Sequence, residues 1–244
     1  MIATFLRTVS CGILGLTLAF SPDVRAAGNI LLWPIDPVVT ADNSATELWI
    51  ENNGSGPVTM QVRVIGWQQI DGRESYQPRQ QDVVASPPIV RIEAGKKQLI
   101  RLIRQITPTP GKELAYRVLI DEIPQAGTGT GVKLQMRYSV PLFVYGAGAK
   151  PATATPPTAG HALLSWRHTT LNGQPAIKIV NQGQLHARLS NVSLDGRPLT
   201  PGLLGYVLAN SSQIWPLPSA LQHSQNIQAR INSDNAPWQA TAQR

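Results

Sequence analysis

The sequence predicts an all-β protein built from two β-sandwich domains. Short segments with apolar residues at alternate positions recur along the chain, and Gly, Pro, Asn or Asp residues separate them. No segment in the first half has a convincing helical period. Short strands with turn residues between them are typical of a β-sandwich.

The strand-like segments of the first half predict which side chains form the core. In ATELWIEN, Leu48 and Ile50 should point inward, while Trp49 and Glu51 point outward. In VTMQVRVIGW one face carries four apolar side chains, Val58, Met60, Val62 and Val64. Further strands are predicted in NILLWPI, QLIRLIRQ and LAYRVLIDEIP.

The segment GVKLQMRYSVPLFVYG, residues 131–146, follows the glycine-rich stretch 127–131 and has an unusually long alternation. Its apolar positions are Val132, Leu134, Met136, Tyr138, Val140, Leu142 and Val144. An ordinary strand has about 5–6 residues. Two interpretations follow: the whole face belongs to the protein's own core, or part of it is offered to another protein.

A second domain is predicted after residue 147. The stretch 146–160 is rich in Gly, Ala, Pro and Thr, which indicates a linker or hinge. Strand-like segments then resume, and Asn172-Gly173 and Asp195-Gly196 have the residues of tight hairpin turns. We expect an N-terminal domain over residues 27–147 and a C-terminal domain over residues 148–244.

The N-terminus predicts export. Arg7 precedes an apolar run from Cys11 to Phe20, and Val24-Arg25-Ala26 matches a small-x-small cleavage pattern. The run is too short to cross about 30 Å of hydrocarbon. We therefore expect residues 1–26 to be a signal peptide that is cleaved near Ala26, with no membrane insertion afterwards.

Composition excludes several kinds of chemistry. The single cysteine, Cys11, lies in the predicted signal, so disulfides and thiolate chemistry are not expected in the mature chain. Signal cleavage lowers the formal charge from +7 to +6, and the positive residues are scattered, which argues against nucleic acid as a partner. We find no zinc-binding histidine spacing, nucleophile elbow or phosphate-binding glycine loop. No enzymatic activity, cofactor or metal is expected.

The order of motifs resembles the periplasmic pilus-assembly chaperones of the chaperone–usher pathway. PPIVRIEAGKKQLIRL is the most specific motif, and DEIP and YSVPLFVYG support it. The YSVPLFV ending is most similar to the archaic branch. The resemblance implies two immunoglobulin-like domains joined by a short hinge with a cleft between them, pilin subunits and an outer-membrane usher as partners, and a periplasmic location.

The resemblance also implies a use for the long strand. Such chaperones complete a pilin that lacks one strand of its sandwich by inserting their own strand into the gap. On the matched positions the donated side chains are Val132, Leu134 and Met136, with Tyr138 as a fourth. Leu142 and Val144 are expected to pack internally near the hinge.

One feature departs from the family pattern. Many relatives grip the pilin's terminal carboxylate with two basic residues, but the matching positions here are Asp36 and Pro141. The resemblance therefore implies a different anchor, for which the candidates are Arg101, Arg91 and Arg137. Alternatively, Arg101 faces solvent or forms a salt bridge with a residue such as Glu113.

Two other functions remain open from the sequence. The chain could be a secreted structural or adhesive sandwich protein, such as a pilus component. An exported hydrolase with a triad assembled from distant residues is a further alternative, although no such constellation is visible.

Overall fold

The computed structural model describes residues 30–124, 135–150, 162–232, 234 and 237–243. In its first part the strands are β1 (Ile30–Trp33), β2 (Val38–Val39), β3 (Ala45–Asn52), β4 (Val58–Ile70), β5 (Arg73–Gln77), β6 (Val83–Ser86), β7 (Ile89–Ile92), β8 (Lys97–Arg104), β9 (Glu113–Glu122) and β10 (Arg137–Tyr145). After residue 162 the strands are β11 (Leu164–Leu171), β12 (Gln174–Asn181), β13 (Ala187–Leu194), β14 (Arg197–Val207), β15 (Ser211–Pro216), β16 (Asn226–Ile231) and β17 (Trp238–Thr241). A short 3₁₀ turn spans Ser219–Leu221.

The first sandwich consists of two sheets. Sheet A has the strand order β1-β3-β8-β6, and sheet B has the order β2-β10-β9-β4-β5, with β7 also paired to β4. The inward side chains follow the alternation of the sequence: Leu48 and Ile50 are fully buried, and the predicted face of β4 enters the same core. This confirms the inward faces predicted for β3 and β4.

The second sandwich packs sheet C, β11-β12-β15, against sheet D, β14-β13-β16-β17. Its core contains Trp166, Ile177, Leu189 and Ile227. Asn172-Gly173 joins β11 to β12, and Asp195-Gly196 joins β13 to β14. All four turn residues have positive φ, as a type I′ hairpin turn requires, so both predicted turns are confirmed.

The two-sandwich fold class is therefore confirmed. The predicted signal peptide, the glycine-rich stretch 127–131 and most of the predicted linker lie outside the described residues. Within the described part of the chain, no helix has the length and apolar character needed to span a membrane.

Candidate functional site

The long strand has two different ends. In β10 the core-facing side chains of Val140, Leu142 and Val144 are buried in the first sandwich. Towards the start of the strand, Tyr138 is only partly buried against that core, and Met136 just before it is 46% exposed. Val132 and Leu134 lie outside the described residues.

Among the residues that the structure describes, one edge of β10 has no strand paired to it over most of its length. On one side β10 pairs with β9 along the whole strand, from Arg137 to Tyr145. On the other side the described residues provide only β2, which pairs with Phe143 and Val144. Unpaired backbone groups at a sheet edge can accept another strand, so the first part of β10 is a site where a strand could be added.

The three predicted anchor arginines lie in different places. Arg101 is exposed on sheet A between Ile100 and Leu102, which are fully buried, so it points away from sheet B. Arg91 is exposed on β7 and pairs with Glu93 at 2.9 Å. Arg137 alone of the three is on β10, at the start of the open edge.

Arg137 belongs to an ion cluster on the outer face of sheet B. Asp121 on β9 accepts hydrogen bonds from Arg137 and, at 2.6 Å, from Arg63 on β4. Burial opposes ionisation of Asp121, but the two guanidinium partners outweigh it and lower the pKa of this carboxyl. The cluster ties the first residue of β10 to two neighbouring strands.

Arg117 lies where the outer face of sheet B meets the second sandwich. Its guanidinium is stacked over Trp67 at 3.7 Å and lies 5.5 Å from the ring of Tyr206. Its Nε is buried without a hydrogen-bond partner among the described residues, and burial lowers the pKa of the guanidinium. In the β9–β10 pairing, Arg117 is directly opposite Pro141.

Glu113 joins the two sandwiches. Its side chain is 2% exposed and accepts a 2.7 Å hydrogen bond from His186 Nδ1 as well as a 3.1 Å bond from the His186 backbone N–H. The imidazole stacks on Phe143 with the ring centroids 3.6 Å apart. Burial, together with the nearby Glu113 carboxylate, raises the pKa of Tyr145. Glu113 therefore pairs with His186, and the suggested salt bridge between Arg101 and Glu113 is wrong because the two residues lie on different sheets.

The β4–β5 hairpin completes the contact between the sandwiches. The Gln69 side chain donates to the Tyr206 carbonyl at 2.8 Å and accepts from the Leu208 N–H at 2.9 Å. The Ile214 N–H donates to the Gly72 carbonyl at 2.9 Å. A Cβ at residue 72 would lie 2.5 Å from the Ile214 side chain, so this close approach requires glycine.

A cavity of about 360 Å³ lies beside this contact. It is lined by residues of both sandwiches, including Gln69, Gln80, Glu113 and Leu208. Among the described residues, no group of three or more His, Asp or Glu side chains is placed to hold a metal ion.

Sequence reasoning gave no role between the sandwiches to Gln69, Glu113, Arg117 or His186, and it named Glu113 only as a partner for Arg101. The alternation in LAYRVLIDEIP does put Arg117 and Asp121 on one face, opposite to Tyr116 and Val118. However, the partner of each side chain depends on strand register and on a second domain many residues away. His186 is 73 residues from Glu113, and no local pattern connects them.

The chain was compared with known proteins. The profile of the pili and flagellar-assembly chaperones, PapD N-terminal domain, matches residues 37–150. A comparison with curated protein sequences found no match. Of the solved structures, the CsuC–CsuE chaperone–tip adhesion subunit pre-assembly complex from the archaic chaperone–usher Csu pili of Acinetobacter baumannii matches with 30% identity and a TM-score of 0.75, covering 88% of this chain and 98% of that chain.

Two further structures share the fold at lower identity. The Salmonella enterica SafA pilin in complex with the SafB chaperone matches with 18% identity and a TM-score of 0.65, covering 88% of this chain and 97% of that chain. The E. coli chaperone DraB matches with 19% identity and a TM-score of 0.61, covering 88% of this chain and 98% of that chain. The sequence match along almost the whole archaic relative, together with the two-sandwich fold, shows that this chain belongs to the family of pilus-assembly chaperones.

Proposed function

We propose that this chaperone acts in the periplasm by lending a strand to pilin subunits and delivering them to an outer-membrane usher. The observation that carries the proposal is the open edge at the start of β10, where the alternating apolar residues of the sequence run on ahead of the strand. Val132, Leu134, Met136 and Tyr138 are the proposed donated side chains. The Csu and Saf structures, in which a chaperone is bound to a tip subunit or a pilin, support this partner class.

The start of β10 is suited to strand donation for a physical reason. Met136 and Tyr138 continue the face that is buried further along the strand, yet Met136 is 46% exposed. An apolar row that leaves its own core gains free energy when it enters another apolar groove, about 25 cal/mol for each Å² removed from water. The rival function, a structural or adhesive pilus component, would require a sandwich that lacks a strand, whereas here Val140, Leu142 and Val144 of β10 fill the core of the first sandwich.

The test is capture of a pilin. A pilin subunit from the same genome is co-expressed with the chaperone, and the complex is purified from the periplasm. Leu134→Asp and Met136→Asp should abolish capture, because a carboxylate forced into an apolar groove costs several kcal/mol. Leu203→Asp is the matched control, since Leu203 is 51% exposed but lies in the second sandwich.

The outcomes separate the interpretations. Loss of capture by Met136→Asp with an unchanged melting temperature supports donation. A large fall in melting temperature means that Met136 serves the chaperone's own core. Capture by both aspartate variants at the wild-type level overturns the donor assignment.

For the carboxylate anchor we add Arg117 to the three arginines named from the sequence. It lies opposite Pro141, the position at which relatives carry a basic residue, and its buried Nε has no partner among the described residues. Arg137 is the second candidate because it lies on the donor strand, although Asp121 already binds it. Arg91 and Arg101 follow, since one pairs with Glu93 and the other points away from sheet B.

The anchor is tested with a pilin that has either a free or an amidated C-terminus. Removing a buried partner of the carboxylate should weaken binding by about 2–5 kcal/mol. If Arg117 is the anchor, Arg117→Ala weakens binding of the free terminus only. An equal loss of affinity for both forms of the pilin would assign Arg117 to domain packing and move the proposal to Arg137. Arg101→Ala is the control and should leave the affinity for both forms unchanged.

A further inference from the structure

The hairpin formed by β4 and β5 projects beyond the rest of sheet B. β4 pairs with β9 only as far as Gly66, and among the described strands its last residues, from Trp67 to Ile70, pair with β5 alone. The hairpin turns at Asp71-Gly72, where both residues have positive φ, as a type I′ turn requires. The tip therefore leaves the sheet that carries it and reaches the second sandwich.

The tip of this hairpin is docked on the edge of sheet C. β15 is the last strand of that sheet, and among the described strands β12 is its partner on one side. Away from β12, the Ile214 N–H donates to the Gly72 carbonyl at 2.9 Å. Arg73 adds a 3.3 Å hydrogen bond to the side-chain oxygen of Asn172, in the turn between β11 and β12. The hairpin thus covers part of an edge that would otherwise present free backbone groups.

Gln69 fixes the same hairpin to the other sheet of the second sandwich. Its buried side chain donates to the carbonyl of Tyr206, on β14 of sheet D, at 2.8 Å and accepts from the Leu208 N–H at 2.9 Å. The hairpin therefore holds sheet C through Gly72 and sheet D through Gln69. A single contact would leave the second sandwich free to turn about it, whereas contacts with two different sheets restrict that rotation.

A separate contact between the sandwiches lies on other strands of sheet B. There Glu113 on β9 and Phe143 on β10 hold His186. In the strand order β2-β10-β9-β4-β5 the hairpin lies at the opposite end of the sheet from β2 and β10. Sheet B is therefore fastened to the second sandwich at two separate places. Loss of the hairpin contacts would leave Glu113 and Phe143 as a pivot.

We propose that the β4–β5 hairpin is a strut that fixes the angle between the two sandwiches, with Gly72 and Gln69 as its positioning residues. The consequence for pilin binding rests on the proposed function. Arg117, the proposed anchor, lies over Trp67 of the hairpin and beside the ring of Tyr206, so a change of angle disturbs its surroundings. If the fixed angle is populated only about a tenth of the time, the apparent affinity for pilin falls about tenfold.

Gly72→Ala tests the strut at its tip. The added Cβ would lie 2.5 Å from the Ile214 side chain, so the hairpin and β15 must move apart. Gly196→Ala is the matched control, because it changes the same kind of Asp-Gly turn at the same φ of +77°, with no described atom within 4 Å of the added Cβ. Combining Gly72→Ala with Ile214→Ala removes the clash and should restore the wild-type angle. Gln69→Leu breaks the second contact without changing the turn.

The angle is measured as a distance between the sandwiches in the full chain. Val84→Cys and Leu203→Cys place one exposed spin label on each sandwich, and pulsed EPR gives the distribution of distances between the labels. The wild type and Gly196→Ala should give the same narrow distribution. Gly72→Ala and Gln69→Leu should give a broader or shifted one, and their affinity for the co-expressed pilin should fall about tenfold.

Each outcome decides one part of the inference. A wild-type distance distribution in both Gly72→Ala and Gln69→Leu would overturn the strut, and so would an equal change in Gly196→Ala. A changed distance with unchanged pilin affinity would overturn the link between the angle and pilin binding. Failure of the wild-type chaperone to capture any pilin would overturn the proposed function instead, and the distance measurement would still decide the strut.

Discussion

The two halves of β10 differ in what surrounds them. In the second half, Leu142, Phe143, Val144 and Tyr145 are all at most 2% exposed, and strands lie on both sides of Phe143 and Val144. In the first half, the side chain of Arg137 is 65% exposed, and of the described strands only β9 pairs with it. The same alternating sequence therefore serves the core at one end and leaves an accessible edge at the other.

The attachments of the two halves differ as well. Glu113, opposite Tyr145, holds the second half through a buried contact with the other sandwich. Asp121, opposite Arg137, holds the first half through surface ion pairs. We therefore expect loss of the Glu113 contact to lower the free energy of unfolding more than loss of the Asp121 ion pairs.

The largest effect is expected in the buried half. Leu142→Ala should lower the free energy of unfolding by about 2–5 kcal/mol, because it leaves a cavity in the first core. Met136→Ala should lower it by less than about 0.5 kcal/mol, as is usual for exposed positions. Urea unfolding measures both. Similar losses for the two variants would mean that the comparison between the halves does not hold.

A smaller loss is expected at the interdomain contact. Glu113→Ala removes the acceptor for two His186 N–H groups, and an unsatisfied buried donor costs about 1–3 kcal/mol. A double-mutant cycle with His186→Ala should show a coupling energy between the two sites. Strictly additive losses would show that the pair does not hold the sandwiches together.

The ion cluster at the first half should contribute less. Asp121→Asn is expected to cost about 1 kcal/mol at neutral pH, since exposed ion pairs are weak and two partners act here. The pKa of Asp121 is lowered by folding, so its contribution is complete above its ordinary pKa of about 3.9 and is lost as the pH falls through the lower folded value. The wild type and the variant should therefore converge in stability in strong acid. A gap that persists there would contradict this assignment.

The smallest effect is expected at Arg101. It is exposed on sheet A, away from β10, so Arg101→Ala should change the free energy of unfolding by less than about 0.5 kcal/mol. Thermal unfolding checks this value. The affinity for pilin should also be unchanged, and a pilin-binding measurement checks that. A selective loss of binding to a pilin with a free C-terminus would restore Arg101 as an anchor.

The accessible edge itself was only partly predictable. The length of the alternation in residues 131–146 raised the possibility that the strand serves two purposes. It did not show that β2 pairs with only Phe143 and Val144, or that Met136 leaves the core while Val140 remains in it. Those boundaries depend on the length of the neighbouring strands, which β10's own residues do not encode.

The anchor candidates show a second limit of prediction from the sequence. Arg101 was named as a candidate, but its position follows from alternation alone: Ile100 and Leu102 face inward, and Arg101 faces solvent. Arg117 attracted no attention because it alternates normally with Tyr116 and Val118. Its unusual surroundings come from Trp67 on β4 and Tyr206 on the second sandwich.

By itself, the sequence determined the β-sandwich class, the inward faces of β3 and β4 and the hairpin turns at Asn172-Gly173 and Asp195-Gly196. Each of these depends on residues close together in the chain, because alternation and positive φ are local properties of the backbone. Only the tertiary structure decided that Arg117 lies opposite Pro141, that Glu113 meets His186 and that Arg137 shares Asp121 with Arg63. Those contacts join residues far apart in sequence, so they follow from strand register and domain packing rather than from any local pattern.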